Sequence, residues 1–166
     1  MTQLELGLVL LASLLQSAAS PLDSSLRLVK TMKGGEAHAY EVSLAADQFL
    51  WVIVDQRGID VGVTAIDPQG QRLAFSDIPN GPLGPGPLAI VADRPGTYRV
   101  EVSARTATAA PGSYEIRVEA LRPALDRDRE HVAALGAFAE GQRMRAQNTA
   151  DSRLQGIAQY EQAHTF

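Results

Sequence analysis

Two stretches of this sequence echo one another sixteen residues apart: Pro95-Gly96-Thr97-Tyr98-Arg99-Val100-Glu101-Val102 and Pro111-Gly112-Ser113-Tyr114-Glu115-Ile116-Arg117-Val118. In each, an aromatic and two β-branched residues occupy alternate positions, with charged residues between them. A period of two is the signature of a strand that buries one face and wets the other. Proline fixes φ and glycine accepts unusual backbone angles, so each Pro-Gly pair reads as the turn that admits a strand. A chain that repeats this unit is building antiparallel sheet.

The pattern extends from Leu26 to Leu121. Glu36–Ser43 alternates, with His38, Tyr40 and Val42 on one face. Phe49–Val54 is apolar on both faces, which predicts a central strand covered on both sides. Val61, Val63 and Ala65 share a face, and Asp67-Pro68-Gln69-Gly70 is a turn from which Gln71–Ser76 returns. Leu88–Ala92 is a short strand. Pro79–Pro87, rich in Pro and Gly, is excluded as a central strand and reads as a long loop across one end of the domain, a place for peptide docking. These signals predict an antiparallel, jelly-roll-like β-sandwich of about eight strands. Tyr40, Trp51, Val63, Tyr98, Val100, Tyr114 and Ile116 are its expected buried residues.

A family resemblance rests on an ordered set of short motifs: His38-Ala39-Tyr40, Gln56-Arg57-Gly58-Ile59-Asp60-Val61, Asp67-Pro68-Gln69-Gly70, Asp77 through Pro87, Gly96-Thr97-Tyr98-Arg99-Val100 and Pro111-Gly112-Ser113-Tyr114-Glu115. Together, from Gly35 to Leu121, they resemble the bacterial pre-peptidase C-terminal domain. The resemblance is closer to the version near the N-terminus of exported proteins that continue into tetratricopeptide repeats, many of which end in a caspase-like protease domain of the CHAT type. Gly86 stands where the family pattern would have glutamate. The resemblance implies a non-catalytic module, and implies calcium in some relatives.

Ahead of the β region, Leu6–Leu15 is an almost unbroken apolar run followed by Ser17-Ala18-Ala19. Small residues after so short a run read as a secretory signal peptide cut after Ala19, which places the protein outside the cytoplasm, periplasmic or secreted. A membrane span needs about 20 apolar residues. The alternative is a buried N-terminal helix, since Met1–Glu5 carries no Lys or Arg.

After Pro123 the period changes. Ala124–Ala146 has one β-branched residue, Val132, and no proline, a helix-favouring composition. Ala134, Ala137, Phe138, Gly141 and Met144 fall on one face, and Val132, Leu135 and Ala139 on a second. Two apolar faces require two neighbours. Gln147-Asn148-Thr149 ends this helix, and Thr149 or Asp151 caps another. Gly156-Ile157-Ala158-Gln159-Tyr160-Glu161-Gln162-Ala163 resembles the second helix of a tetratricopeptide hairpin. Such hairpins bury their faces only in arrays, so the expectation is a first repeat of a longer polypeptide. The expected layout is a signal peptide at 1–19, a leader at 20–34, the sandwich at 35–122 and the hairpin at 123–166. Phe138, Met144, Ile157 and Tyr160 are the candidate interaction residues.

The chemistry-bearing residues are sparse. The chain has no cysteine, which removes disulfides, thiolate metal sites and thiol nucleophiles. The net charge of -4 is distributed without a basic block, which argues against nucleic acid. His38, His131 and His164 have no metal-ligand spacing, and no nucleophile elbow or phosphate loop occurs. Asp55, Asp60, Asp67, Asp77 and Asp93 flank turns. Asp55, Asp60, Asp77 and Asn80 are weak calcium candidates, because calcium takes six to eight loop oxygens. Asp and Asn also favour turns for local hydrogen-bonding reasons. The expected function is an extracytoplasmic, non-catalytic accessory module that binds a protein partner or further repeats of its own polypeptide. The alternatives are the N-terminal part of an exported CHAT-type peptidase and a calcium-dependent adhesion or matrix-binding sandwich.

Overall fold

A computed structural model describes residues 19–77 and 81–164, the last by its backbone alone. The apolar run Leu6–Leu15 and the calcium candidate Asn80 lie outside these residues. Nine strands and two helices follow in order: β1 (Ser20–Pro21), β2 (Arg27–Met32), β3 (Ala37–Leu44), β4 (Gln48–Arg57), β5 (Val61–Ile66), β6 (Arg72–Ser76), β7 (Leu83–Val91), β8 (Gly96–Ala104), β9 (Gly112–Pro123), α1 (Asp126–Ala146) and α2 (Ala150–His164). The protein is mainly β, with two sheets and a C-terminal helical hairpin. No helix among the described residues is long and apolar enough to cross a membrane.

The sheets run β1-β3-β8-β5-β6 and β2-β9-β4-β7. Every connection except β5 to β6 carries the chain from one sheet to the other. Pairings between the named strands are antiparallel apart from β1 with β3, which is parallel over two residues. The stretch 20–34, expected to be a leader, supplies β1 and β2. It is part of the sandwich because β2 pairs with β9 from Arg27↔Arg117 to Met32↔Gly112.

The core lies between the sheets. β8 contributes Tyr98, Val100 and Val102 from one side, and β9 contributes Tyr114 and Ile116 from the other. The two echoed strands thus belong to opposite sheets, each turning its apolar face toward its counterpart. Leu50, Val52 and Val54 fill the centre from β4, opposed by Val61, Val63 and Ala65 from β5. Gly112 has a steric reason: a Cβ there would lie 2.6 Å from the carbonyl carbon of Gly58. At the β5–β6 turn, Asp67 Oδ1 accepts from the N–H groups of Gln69 and Gln71, and Gly70 takes φ 82. That is the local role expected of an Asp-Pro-x-Gly turn.

Two expectations change. The expected loop Pro79–Pro87, described from Gly81 onward, is not a loop throughout, since β7 runs through Pro85 and Pro87 and pairs with β4. Proline is tolerated because β7 is an edge strand, where an imino nitrogen can face away from the neighbour. Proline there also blunts the edge against further pairing. Trp51 is not in the inter-sheet core. It alternates with Leu50 and Val52, so its half-buried ring lies on the outer face of the sheet.

Candidate functional site

The C-terminal helices carry three exposed large apolar side chains, Phe138, Leu154 and Ile157, and their mounting on the sandwich defines what they present. On the outer face of β4, Phe49 and Trp51 receive His131 of α1, with ring centroids 6.3 and 5.2 Å away. Helix α1 runs beside β7 and β6. Trp51 Nε1 and His131 Nε2 are buried with no hydrogen-bond partner among the described residues, so ring packing rather than polar pairing holds this seat. Trp51 is doubly useful to the fold: its strand fills the core while its ring anchors the helix.

Ion pairs brace the junction. Arg122, at the end of β9, binds Asp128 by two hydrogen bonds, 2.5 and 2.8 Å, while its guanidinium carbon sits 5.0 Å from the centre of the Phe49 ring. The Arg122 hydrogen bonds, with that from the Leu125 N–H, hold the Asp128 carboxyl at about 2, well below its ordinary value. Arg129 reaches back to Asp47 at 2.5 Å, and the Ala124 N–H donates to the Asp47 carbonyl at 2.8 Å.

Helix α1 ends where Asn148 takes φ 57, a left-handed terminus that asparagine tolerates. Thr149 and Ser152 then cap α2 reciprocally: each side-chain oxygen accepts the other's backbone N–H, at 3.0 and 3.1 Å. The helices meet at glycines. A Cβ on Gly141 would lie 3.2 Å from the Gly156 carbonyl oxygen and 2.8 Å from the Tyr160 ring. Phe138 and Tyr160 close the seam beside them, with centroids 5.6 Å apart. The two apolar faces of α1 therefore have two different neighbours: α2 covers Gly141, and the sandwich receives the His131 side.

The candidate interaction residues separate into two groups. Phe138, Tyr160 and Met144 belong to the α1–α2 seam, where Met144 Cβ would lie 3.7 Å from a Cβ on Gly156. Phe138 nonetheless keeps 38 % of its surface exposed. Ile157 faces outward at 53 %, and Leu154, one turn earlier, is the most exposed large apolar side chain among the described residues at 68 %. Leu154 was missed in the sequence because it lies outside the tetratricopeptide-like pattern. Its i, i+3 spacing from Ile157 is the signal that identifies it.

Of the described calcium candidates, Asp60 and Asp77 lie near one another, and Asp55 stands with Arg57. Asp55 is held by Arg57 at 3.2 Å and Asp77 by Arg105 at 2.8 Å. Asp60 lies within electrostatic reach of Asp77 and Arg105, and one of its oxygens is buried without a hydrogen-bond partner among the described residues. Burial, then the Asp77 charge, raises its pKa, with Arg105 opposing. Among the described residues no three metal-ligating side chains come together.

No protein-family model matches the sequence, and no curated protein matches it. Solved structures do. The pre-peptidase C-terminal domain of a collagenase from Bacillus anthracis is 21% identical, with a TM-score of 0.49, over 61% of this chain and 94% of that one. A periplasmic inhibitor of g-type lysozyme from Aeromonas hydrophila is 16% identical, with a TM-score of 0.47, over 61% of this chain and 96% of that one. Its counterpart from Salmonella Typhimurium is 18% identical, with a TM-score of 0.42, over 61% and 98%.

Proposed function

We propose that this chain is a non-catalytic, extracytoplasmic accessory module whose helical hairpin docks a further helix, from a protein partner or from later repeats of the same polypeptide. The observation that carries the reading is the outer face of α2. Leu154 and Ile157 stand one turn apart, mostly exposed, on a helix whose opposite face is already committed to α1. Exposed apolar residues grouped in this way mark interaction surfaces. The seat on the sandwich supports the same reading, because Arg122–Asp128 and Trp51–His131 hold α1 at a set position from which α2 projects.

Export is supported by the apolar run ahead of Ser17-Ala18-Ala19. A cut after Ala19 would leave Ser20, the first residue of β1, at the new terminus. N-terminal sequencing of exported protein should then begin at Ser20. Intact Met1 in a cytoplasmic pool would defeat this part of the reading.

The docking test appends an idealised helical hairpin after Phe166. The α2 amides should become better protected against hydrogen exchange, and binding of an apolar dye should fall. Leu154→Ser with Ile157→Ser should abolish both changes, while altering the stability of the unextended chain by no more than about 0.5 kcal/mol. Unchanged α2 protection in the extended chain would sink the proposal.

A further inference from the structure

One hydrogen-bonded chain of side chains joins the two sheets through the core. His38 and Tyr40 stand on β3, and Tyr114 stands on β9 of the opposite sheet. The hydroxyl oxygens of Tyr40 and Tyr114 are 2.7 Å apart, and Tyr114 Oη is 2.7 Å from His38 Nδ1. Tyr40 is 1 % exposed and Tyr114 has no exposed surface, whereas His38 is half-buried at the rim. Among the described residues, Tyr114 is the hydrogen-bond partner that Tyr40 Oη has.

Counting hydrogens assigns the direction of this chain. Two links must be filled, and the two hydroxyls supply two hydrogens. With His38 neutral and its proton on Nε2, the Tyr40 O–H donates to Tyr114 Oη and the Tyr114 O–H donates to His38 Nδ1. Every link is made and no hydrogen is left over. A protonated His38 brings a third hydrogen to the same two links. Nδ1–H must then donate to Tyr114, Tyr114 must donate to Tyr40, and the Tyr40 hydrogen is left in the core without an acceptor. A buried donor without a partner costs its desolvation in full.

We propose that His38 is an acid-sensitive latch between the sheets: neutral, it is the terminal acceptor that completes the Tyr40–Tyr114 chain, and protonated, it disrupts that chain and loosens β3 from β9. The surroundings agree. Burial lowers the His38 pKa; Glu36 opposes this and Lys30, on β2, adds to it. Glu36 is itself drawn to Lys33, whose backbone N–H it binds at 2.9 Å. Burial holds both tyrosine hydroxyls above their ordinary range, so neither ionises while His38 titrates. Because the folded pKa of His38 is lowered, the unfolded chain binds the proton more readily. The latch's contribution is complete above the unfolded value of about 6.5 and is lost as pH falls through the folded value.

The test combines nitrogen NMR of His38 with urea unfolding of the full chain at about pH 7.5 and about pH 5, either side of the ordinary histidine value. At the higher pH, Nδ1 should carry no proton, and His38 should titrate below ordinary histidine. The urea midpoint of the wild type should fall on acidification. In His38→Gln, whose amide oxygen can accept but does not titrate, that fall should shrink by about half or more. Tyr114→Phe removes the joint of the chain, so the His38 pKa should rise; this holds even if His38→Gln does not fold. A proton on Nδ1 at the higher pH, an equal fall in His38→Gln, or an unmoved His38 titration in Tyr114→Phe would each overturn the latch.

Discussion

Asp128 accepts two hydrogen bonds from the Arg122 guanidinium and a third, at 2.7 Å, from the Leu125 N–H, tying the last strand to the first turn of α1. A carboxylate in the first turn of a helix also meets the positive end of the helix dipole. One buried side chain therefore both starts the helix and fastens it to the sheet.

This arrangement sets an acid limit on the hairpin's attachment. The Asp128 pKa is lowered from 3.8 to about 2, chiefly by Arg122. A lowered carboxylate pKa contributes stability above the unfolded value and loses it as pH falls through the folded one. Far-UV circular dichroism should show helix loss between about pH 4 and about pH 2. Asp128→Asn should lower the helix signal's thermal midpoint at neutral pH and remove its contribution to that acid step. An acid transition identical in wild type and Asp128→Asn would refute the assignment.

Two glycines of α1 should respond oppositely to alanine. Gly136 is exposed with nothing within 4 Å of an added Cβ, so Gly136→Ala should stabilise by about 0.5 to 1 kcal/mol through helix propensity. Gly141→Ala gains the same propensity but drives a Cβ to 2.8 Å from Tyr160, a ring already set against Phe138. Overpacking of this kind costs about 1 to 3 kcal/mol, so the net change should be destabilising. Urea unfolding of both variants checks the contrast, and equal gains would mean that the helices do not cross at Gly141.

Tyr98 separates burial from hydrogen bonding. Its ring is in the core, and its hydroxyl donates to the Arg94 carbonyl at 2.9 Å. Tyr98→Ala should cost about 3 to 5 kcal/mol by leaving a cavity. Tyr98→Phe should cost about 1 kcal/mol, the net worth of one hydrogen bond. Calorimetry on the two variants measures both, and a Tyr98→Phe loss as large as the alanine loss would show that the ring is not what fills the core.

Much of the strand content was legible in order along the chain, because alternation is local. Tyr98, Val100, Tyr114 and Ile116 could be placed on buried faces from their spacing alone, and the cap of α2 could be narrowed to Thr149 or Asp151, of which the structure uses Thr149. The Asp67 turn was legible for the same reason: its hydrogen bonds are made within four residues. Trp51 and β7 were not. Period two places Trp51 on one face of β4 but does not say which face meets the other sheet and which meets a helix. Pro85 and Pro87 rule out a central strand, yet only the sheet order shows that β7 is an edge where prolines are accommodated.

The sequence by itself determined that this chain forms short strands with one buried face, followed by a helix with two apolar sides. Those properties follow from the geometry of a single strand or helix. Tertiary structure alone decided the partners. It set the echoed strands in opposite sheets, gave the two sides of α1 to the sandwich and to α2, and left Leu154 and Ile157 facing outward. It also brought His38 to Tyr114, seventy-six positions apart in the chain. The reason is that every connection but one crosses between sheets, so the decisive contacts are between residues far apart in sequence, and no local period encodes them.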